Sequence, residues 1–575
     1  MQPNKGAFRV FKRSISAIAF SAIFGLSALS PVMADGLAGA YLAARQAGGD
    51  YDFTAASQYF TRALVQDQSN PVLMEGAILA FVGSGQIDKA VPIARRLNSI
   101  NSSDQISNML LLADAIAAEG YEAAFGILEA GETVGPLVDG LVLAWVQLGL
   151  GNMSEALGTF DEMSKGNGLQ SFGLYHKAMA LTLVGDLEGA DEILSGKAGA
   201  QLPVTRRGVL AHTEILSQLE RNADAIGLID TVFGENLDPG LVDVRARLVA
   251  GDVLPLTSIR NAKDGVAEVF YSIAGALSGE ANDGYTLLYT RIAQYLRPDH
   301  VDAILLTAQL LESLGRYDLA IQAYDQISED DPEYQAAELG RADALNRSGD
   351  TDGAIEVLEK LAADNAEQVS VHITLGDLLR RLDRFDEAKQ AYSQAIALFD
   401  APDPGQWVVY FARGIANERT ESWPEAEADF RKALELQPGQ PQVLNYLGYS
   451  FVEMKQNLDE ALDMIERAVA ARPQDGYITD SLGWVLYRLG RYDEAVVHME
   501  RAVELEPVDP IVNDHLGDVF WAVGREREAE FQWYRALSFE PEEKDAIRIR
   551  RKLEVGLDVV LEEEGGDPIQ ASNDG

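Results

Sequence analysis

The stretch Gly483-Trp-Val-Leu-Tyr-Arg-Leu-Gly490-Arg-Tyr-Asp-Glu-Ala495-Val-Val-His-Met-Glu-Arg-Ala502-Val-Glu-Leu-Glu-Pro507 decides the fold. Gly483 sits on a first helix, where a side chain would hold a second helix away. Gly490 closes that helix and opens a short turn. Ala495 lets the second helix lie close, Ala502 faces the unit that follows, and Pro507 ends the second helix. The same set returns 34 residues later as Gly517, Gly524, Ala529, Ala536 and Pro541, and far upstream as Ala308, Gly315, Ala320 and Pro332. Between these residues run large apolar side chains at helical spacing, such as Leu516, Phe520, Trp533 and Leu537. One such hairpin cannot bury its own face, so stacked neighbours must supply a continuous core.

The ladder runs in register. Ala308, Ala342, Gly376, Gly414, Gly448, Gly483 and Gly517 step by 34, 34, 38, 34, 35 and 34 residues. The longer step contains the Ala401-Pro-Asp-Pro-Gly405 linker, and Ala274 adds one more copy that lacks the turn glycine. Upstream the beat weakens but persists: Ala56, Ala90, Ala124, Ala156, Ala190 and Ala225 step by 34, 34, 32, 34 and 35. The reading is about six weak repeats followed by about eight better ones from Val266 onward.

These residues resemble the tetratricopeptide repeat (TPR) family. The resemblance implies an all-α solenoid of stacked antiparallel helix pairs forming a right-handed superhelix, with the first helix of each pair lining a concave groove. Candidate groove residues are those on first helices that fall outside the packing ladder: Asn445, Tyr449, Tyr477, Asp480, Trp484, Tyr487, Arg488, Asp514, Asp518 and Trp521. Aromatic faces supply area for a peptide, and amide and charged groups hold its backbone or its basic side chains. Trp484 and Trp521 are equally well read as packing against the next helix. The acidic set departs from the Lys, Arg and Asn clamp of the TPR domains that bind chaperone tails.

A narrower likeness covers about the last quarter of the chain. Asn445-Tyr-Leu-Gly-Tyr449, Asp480-Ser-Leu-Gly-Trp484, Leu486-Tyr-Arg-Leu-Gly-Arg491 and Asn513-Asp-His-Leu-Gly517 are similar to runs in exported TPR proteins of proteobacteria. Some of those are outer-membrane lipoproteins that act as adaptors for C-terminal processing proteases and bring cell-wall hydrolase substrates to them. The chain contains no cysteine, so lipidation in that manner is excluded, as are disulfides, thiolate metal sites and thiol nucleophiles.

Residues 1–34 read as a secretory signal. Lys5, Arg9, Lys12 and Arg13 form a basic region, Ser14 to Leu29 is apolar, and Val32-Met33-Ala34 fits a small-residue cleavage site. The expectation is a periplasmic protein cleaved after Ala34; an uncleaved anchor is the other reading. The formal net charge is −43, and the signal carries only basic charges, so the mature chain is more acidic still. Such a chain is repelled by nucleic acid and by anionic membranes. Its acidic surface serves solubility, and it steers basic partners.

The organisation expected from the sequence is a weak array over 35–250, a hinge or irregular segment at 251–265, a regular array over 266–543, a capping helix at 544–563 and an acidic tail at 564–575. The six histidines, His176, His212, His300, His372, His498 and His515, show no metal-ligand spacing. There is no phosphate-binding glycine loop and no nucleophile turn. The reading is a non-enzymatic scaffold or adaptor without cofactor or metal, binding protein or peptide partners, with a protease or cell-wall hydrolase as the candidate. The alternative is a component of an envelope assembly or polysaccharide export machine.

Overall fold

A computed structural model describes residues 36–565 apart from 102, 132, 133, 167, 198–201, 235 and 236. The 1–34 signal and residues 566–575 of the tail lie outside the described residues. The described residues form α-helices in antiparallel pairs, with one 3-10 turn at Pro404–Gln406 and no strand. We call the first helix of each pair A and the second B. Helix starts follow the sequence: Asp475 accepts from the Ile478 N–H and Asp509 from those of Ile511 and Val512, while Pro71, Pro136, Pro441 and Pro510 open their helices.

The small-residue ladder acts as expected. A Cβ on Gly483 would lie 2.7 Å from Met499 Cγ, and one on Gly517 would lie 2.4 Å from Trp533 Nε1. Helix B therefore crosses helix A at a distance that only glycine permits, and Met499 and Trp533 are fully buried there. The turn residue beyond each of these A helices is left-handed. Gly490 and Gly524 take φ of 75° and 77°, but Glu119, Glu220 and Glu421 hold φ of 57°, 58° and 59° at the same place. The turn therefore persists where its glycine is missing, both in the weak array at Glu119 and Glu220 and in the regular one at Glu421.

Contacts among the described residues divide the chain between Asp364 and Asn365. The 251–265 segment lies inside the N-terminal unit rather than at this division. In that unit the pair Ala262–Leu277 and Asp283–Leu296 does more than continue the stack. It also packs across the A helices of the preceding repeats. Asn282 Nδ2 donates to Tyr51 Oη at 3.0 Å, Arg291 to the Gly83 carbonyl at 3.2 Å and Tyr295 Oη to Asp114 at 3.2 Å. Gly265 meets the face of Trp145, and Glu268 accepts from Tyr175 Oη at 2.8 Å and Arg207 at 2.7 Å. Every residue from Thr286 to Gln294 is buried, so this helix is enclosed all round instead of along one stripe. Arg291 has no carboxylate partner among the described residues; its cation lies at the C-terminal end of the Pro71–Gly83 helix, where the exposed carbonyls favour positive charge.

Two buried groups set the electrostatics of this crossing. Burial alone would raise Glu268, but Arg207 and then His300 outweigh it and hold the carboxyl well below the carboxylate range. His176 is fully buried, which lowers its imidazole to about 4. Trp145 Nε1 donates to its Nδ1 at 3.2 Å, so Nε2 carries the proton and faces Ser272 Oγ at 3.1 Å. Ser272 donates its own proton to the Val269 carbonyl.

Candidate functional site: the A-helix face of the C-terminal unit

The last repeats of the C-terminal unit are Gly476–Arg488 with Tyr492–Leu505 and Pro510–Ala522 with Glu526–Ser538. Beyond them the expected single capping helix is two, Glu543–Val555 and Leu557–Glu563, separated at Gly556, whose φ is 85°. A side chain at Gly556 would also strike the Trp521 ring at 2.7 Å, so the break brings the chain back against the A helix. Trp521 Nε1 then donates to Asp558 at 3.0 Å.

This return corrects the expected groove. Asp514 and Asp518 do not face an open groove; they are buried and hold Lys552, whose side chain is 0% exposed. Lys552 Nζ donates to Asp514 at 2.8 and 2.9 Å and to Asp518 at 2.6 Å. Trp533 Nε1 and Arg548 also donate to Asp518, at 3.0 and 3.3 Å. Burial pushes Asp514 up. At Asp518 burial is outweighed by Lys552 and Arg548, which hold that carboxyl down. Asp480 is likewise interior, 3.0 Å from His515 Nδ1. Burial opposes charge on His515, yet Asp480 outweighs it and raises the imidazole.

Trp484 and Tyr487 are buried as well. The Trp484 ring stacks on His515 at 4.0 Å between centroids and on Tyr487 at 4.9 Å, and its Nε1 donates to Glu453 at 2.8 Å. They pack A helix to A helix, which is the packing alternative stated for Trp484 above. The remaining candidates are half-buried. Arg488 lies over Trp484, and Tyr477 donates to Asp509 at 3.3 Å, with burial and then Asp509 pushing its phenol up to about 12. Asn445 and Tyr449 lie one repeat upstream, and no donor among the described residues reaches Asn445 Oδ1.

The open part of this face therefore lies at the upstream candidates, Asn445 and Tyr449, and beyond them. It centres on Trp407–Arg419 and Pro441–Glu453, where Val408 is 49% exposed and Phe411 is half-buried against Tyr446. No group of three His, Asp or Glu able to hold a metal occurs among the described residues, and no helix among them is long and apolar enough to cross a membrane.

Comparison with known proteins agrees with this architecture. The family model described as Tetratricopeptide repeat matches residues 292–368, 373–441, 423–476, 447–510 and 481–541. Over these residues the chain is built of tetratricopeptide repeats. Such arrays serve as scaffolds for protein–protein interaction. A curated relative is the TPR repeat-containing protein PA4667 of Pseudomonas aeruginosa, 28% identical over 109 residues, which is 19% of this chain and 18% of that protein. Among solved structures, YrrB, titled a TPR protein with an unusual peptide-binding site, is 22% identical with a TM-score of 0.28 over 34% of this chain and 99% of its own. The Cut9–Hcn1 hetero-tetramer of APC/C is 15% identical with a TM-score of 0.35, over 90% and 96%.

The TPR chain also shows, within itself, how an A helix can hold extended backbone. The irregular segment after Gly251 runs along Arg206–Gln218. Asn222 and Ser217 donate to the Asp252 carbonyl, and Gln218 donates to that of Leu254 at 2.5 Å. Ser217 Oγ accepts from the Leu254 N–H at 2.9 Å, and Glu214 accepts from those of Thr257 and Ser258 at 3.1 and 3.2 Å. Arg207 and Arg297 close on the Ser258 carbonyl at 3.3 and 2.8 Å. Sequence reasoning missed these gripping residues because their target is mostly main chain, which carries no sequence signal.

Proposed function

We propose that this TPR protein is an exported adaptor whose C-terminal unit binds an extended segment of a partner protein along its A-helix face. The observation that carries the reading is the Asp252–Ser258 segment: polar side chains on Arg206–Gln218 grip its backbone carbonyls and N–H groups, and Glu214 also accepts from the Thr257 and Ser258 hydroxyls. The face of Trp407–Arg419 and Pro441–Glu453 offers the same kind of surface with no occupant of its own among the described residues. Phe411 and Tyr449 supply area, and Asn445 supplies an unmatched amide. The likeness of Asn445 to Leu537 to exported adaptors supports an envelope protease or cell-wall hydrolase as partner. The basic and apolar run before Ala34 supports the periplasm as the place.

The test is capture from a cell-envelope extract by the mature chain and by a Phe411→Ala, Asn445→Ala, Tyr449→Ala variant of unchanged helicity. A protease or hydrolase held by the first and lost by the second is the expected result. Equal retention by both removes this face from consideration. Recovery of the tagged full-length protein in the cytoplasmic fraction refutes export.

A further inference from the structure

One repeat in the N-terminal unit is incomplete. The A helix Arg206–Gln218 carries Val209, Thr213 and Leu216, spaced i, i+4 and i+7; paired with the B helix Asn222–Phe233 they are 6%, 0% and 3% exposed, and Leu216 clusters with that helix's Ala225 and Ile229. The next A helix, Pro239–Ala250, repeats that stripe 33 residues later as Val242, Ala246 and Val249. Its opposite side is packed as the array requires. Leu241 and Leu248 are each 2% exposed, and Val244 lies against the cluster of Leu216, Ala225, Ile229 and Leu254. Val242 and Val249, however, are 52% and 64% exposed, and Ala246 between them is exposed as well. The cause is the path of the chain: after Gly251 it runs back along Arg206–Gln218 as extended backbone and supplies no B helix.

We infer that Val242, Ala246 and Val249 form a docking slot for one amphipathic α-helix of a partner protein, which completes the repeat by taking the place of the missing B helix. The repeat itself specifies the occupant. One unit earlier the covering helix runs antiparallel and presents Ala225 and Ile229, both 0% exposed, a small and a branched side chain four residues apart. The rim specifies charge. Arg245 is engaged by Asp230 at 2.8 Å and Arg247 faces Asp252 at 4.0 Å, whereas Asp243 is exposed and has no ion-pair partner among the described residues. A helix with lysine or arginine beside its apolar stripe fits that rim and the acidity of the whole chain. In a two-fold contact with a second copy of this chain, the stripe would meet its own equivalent. A contact between two such short helices falls well below the roughly 1,200 Å² of a stable interface.

The probe is a stapled helical peptide with the sequence of Asn222–Phe233 in which the residues corresponding to Asp224 and Asp230 are replaced by lysine, so that it carries the basic flank the rim calls for, titrated against the full mature chain by fluorescence polarisation. Saturable binding is expected with a Kd on the order of 10–100 μM, weakened at least about tenfold by Ala246→Arg and by Val249→Arg. Both positions are exposed, so the circular dichroism and Tm of these variants stay at the wild-type values. Hydrogen exchange across Pro239–Ala250 should slow when the peptide is present. Absence of saturable binding, or equal binding by both variants, overturns the inference. So does sedimentation showing a wild-type dimer that Ala246→Arg turns into a monomer, because the slot is then filled by a second copy.

Discussion

Lys552→Met should open the C-terminal end of the array. The ammonium is fully enclosed and makes three short hydrogen bonds, at 2.8 and 2.9 Å to Asp514 and 2.6 Å to Asp518. Methionine fills a similar volume but leaves two buried carboxylates side by side. Removing one partner of a buried charge pair costs about 3–5 kcal/mol. Arg548 still reaches Asp518 at 3.3 Å and offsets part of this, which places the change near the lower bound, about 3 kcal/mol. That corresponds to an open population of Glu543–Glu563 raised on the order of a hundredfold. Hydrogen exchange read by mass spectrometry on that segment reports the population directly, and Trp521 and Trp533 fluorescence follows it in urea. A ceiling applies: once the two terminal helices undock, both carboxylates reach water and no further loss occurs. Adding Asp514→Asn and Asp518→Asn to Lys552→Met should recover most of the protection, because the amide oxygen then standing at position 518 still accepts from the Trp533 N–H. Unchanged exchange in Lys552→Met, or no recovery in the triple variant, would refute the reasoning.

Acid should weaken the N-terminal unit through His176. Its folded value of about 4 lies below the ordinary 6.5, so the unfolded chain binds the extra proton. Stability from the neutral ring is complete above pH 6.5 and falls as pH drops towards 4, by about 3 kcal/mol in all. The Trp145 donor facing Nδ1 enforces the same sign, since a protonated ring would set an N–H against that donor. Urea midpoints of wild type and His176→Asn should converge over that window, and parallel pH profiles would contradict the assignment. Glu220→Gly should stabilise the same unit. Glu220 is exposed and holds φ of 58°, so glycine relieves left-handed strain for a net gain of about 0.5–1 kcal/mol. An unchanged or lower Tm would show that the turn is unstrained.

The repeat is legible because its signal is steric. Gly483 and Gly517 have to be small wherever two helices cross, and that need recurs at the repeat length. The turns are only partly legible. Glu119 and Glu220 adopt the left-handed conformation under the constraint of the helices on either side, and nothing in a glutamate announces it. The candidate groove fails for a different reason. Isolated carboxylates seldom lie buried, so Asp480, Asp514 and Asp518 read as solvent-facing. Their partners, His515 and Lys552, stand one repeat away, and Lys552 belongs to a helix whose sequence reads only as a cap. Asn445 and Tyr449 survive as candidates because, although the next A helix packs beside theirs, both stay half-buried and no donor among the described residues reaches Asn445 Oδ1. The 251–265 segment lacks the ladder, and its hydrogen bonds to Arg206–Gln218 are mostly to main chain and leave little mark in composition.

The Ala262–Leu277 and Asp283–Leu296 hairpin changes how the N-terminal unit must come together. Most repeat arrays zip from neighbour to neighbour, so each unit gains its contacts as soon as the next is made. Here Tyr51 meets Asn282 across 231 residues of chain and Gly83 meets Arg291 across 208. Those pairings raise the contact order of this unit above that of a stack joined only from neighbour to neighbour, and slow its folding accordingly. The early A helices present their apolar surface until residue 296 has been made and delivered. A chain read as crossing a membrane unfolded would then hold its first half open throughout transit, with no premature folding to obstruct passage.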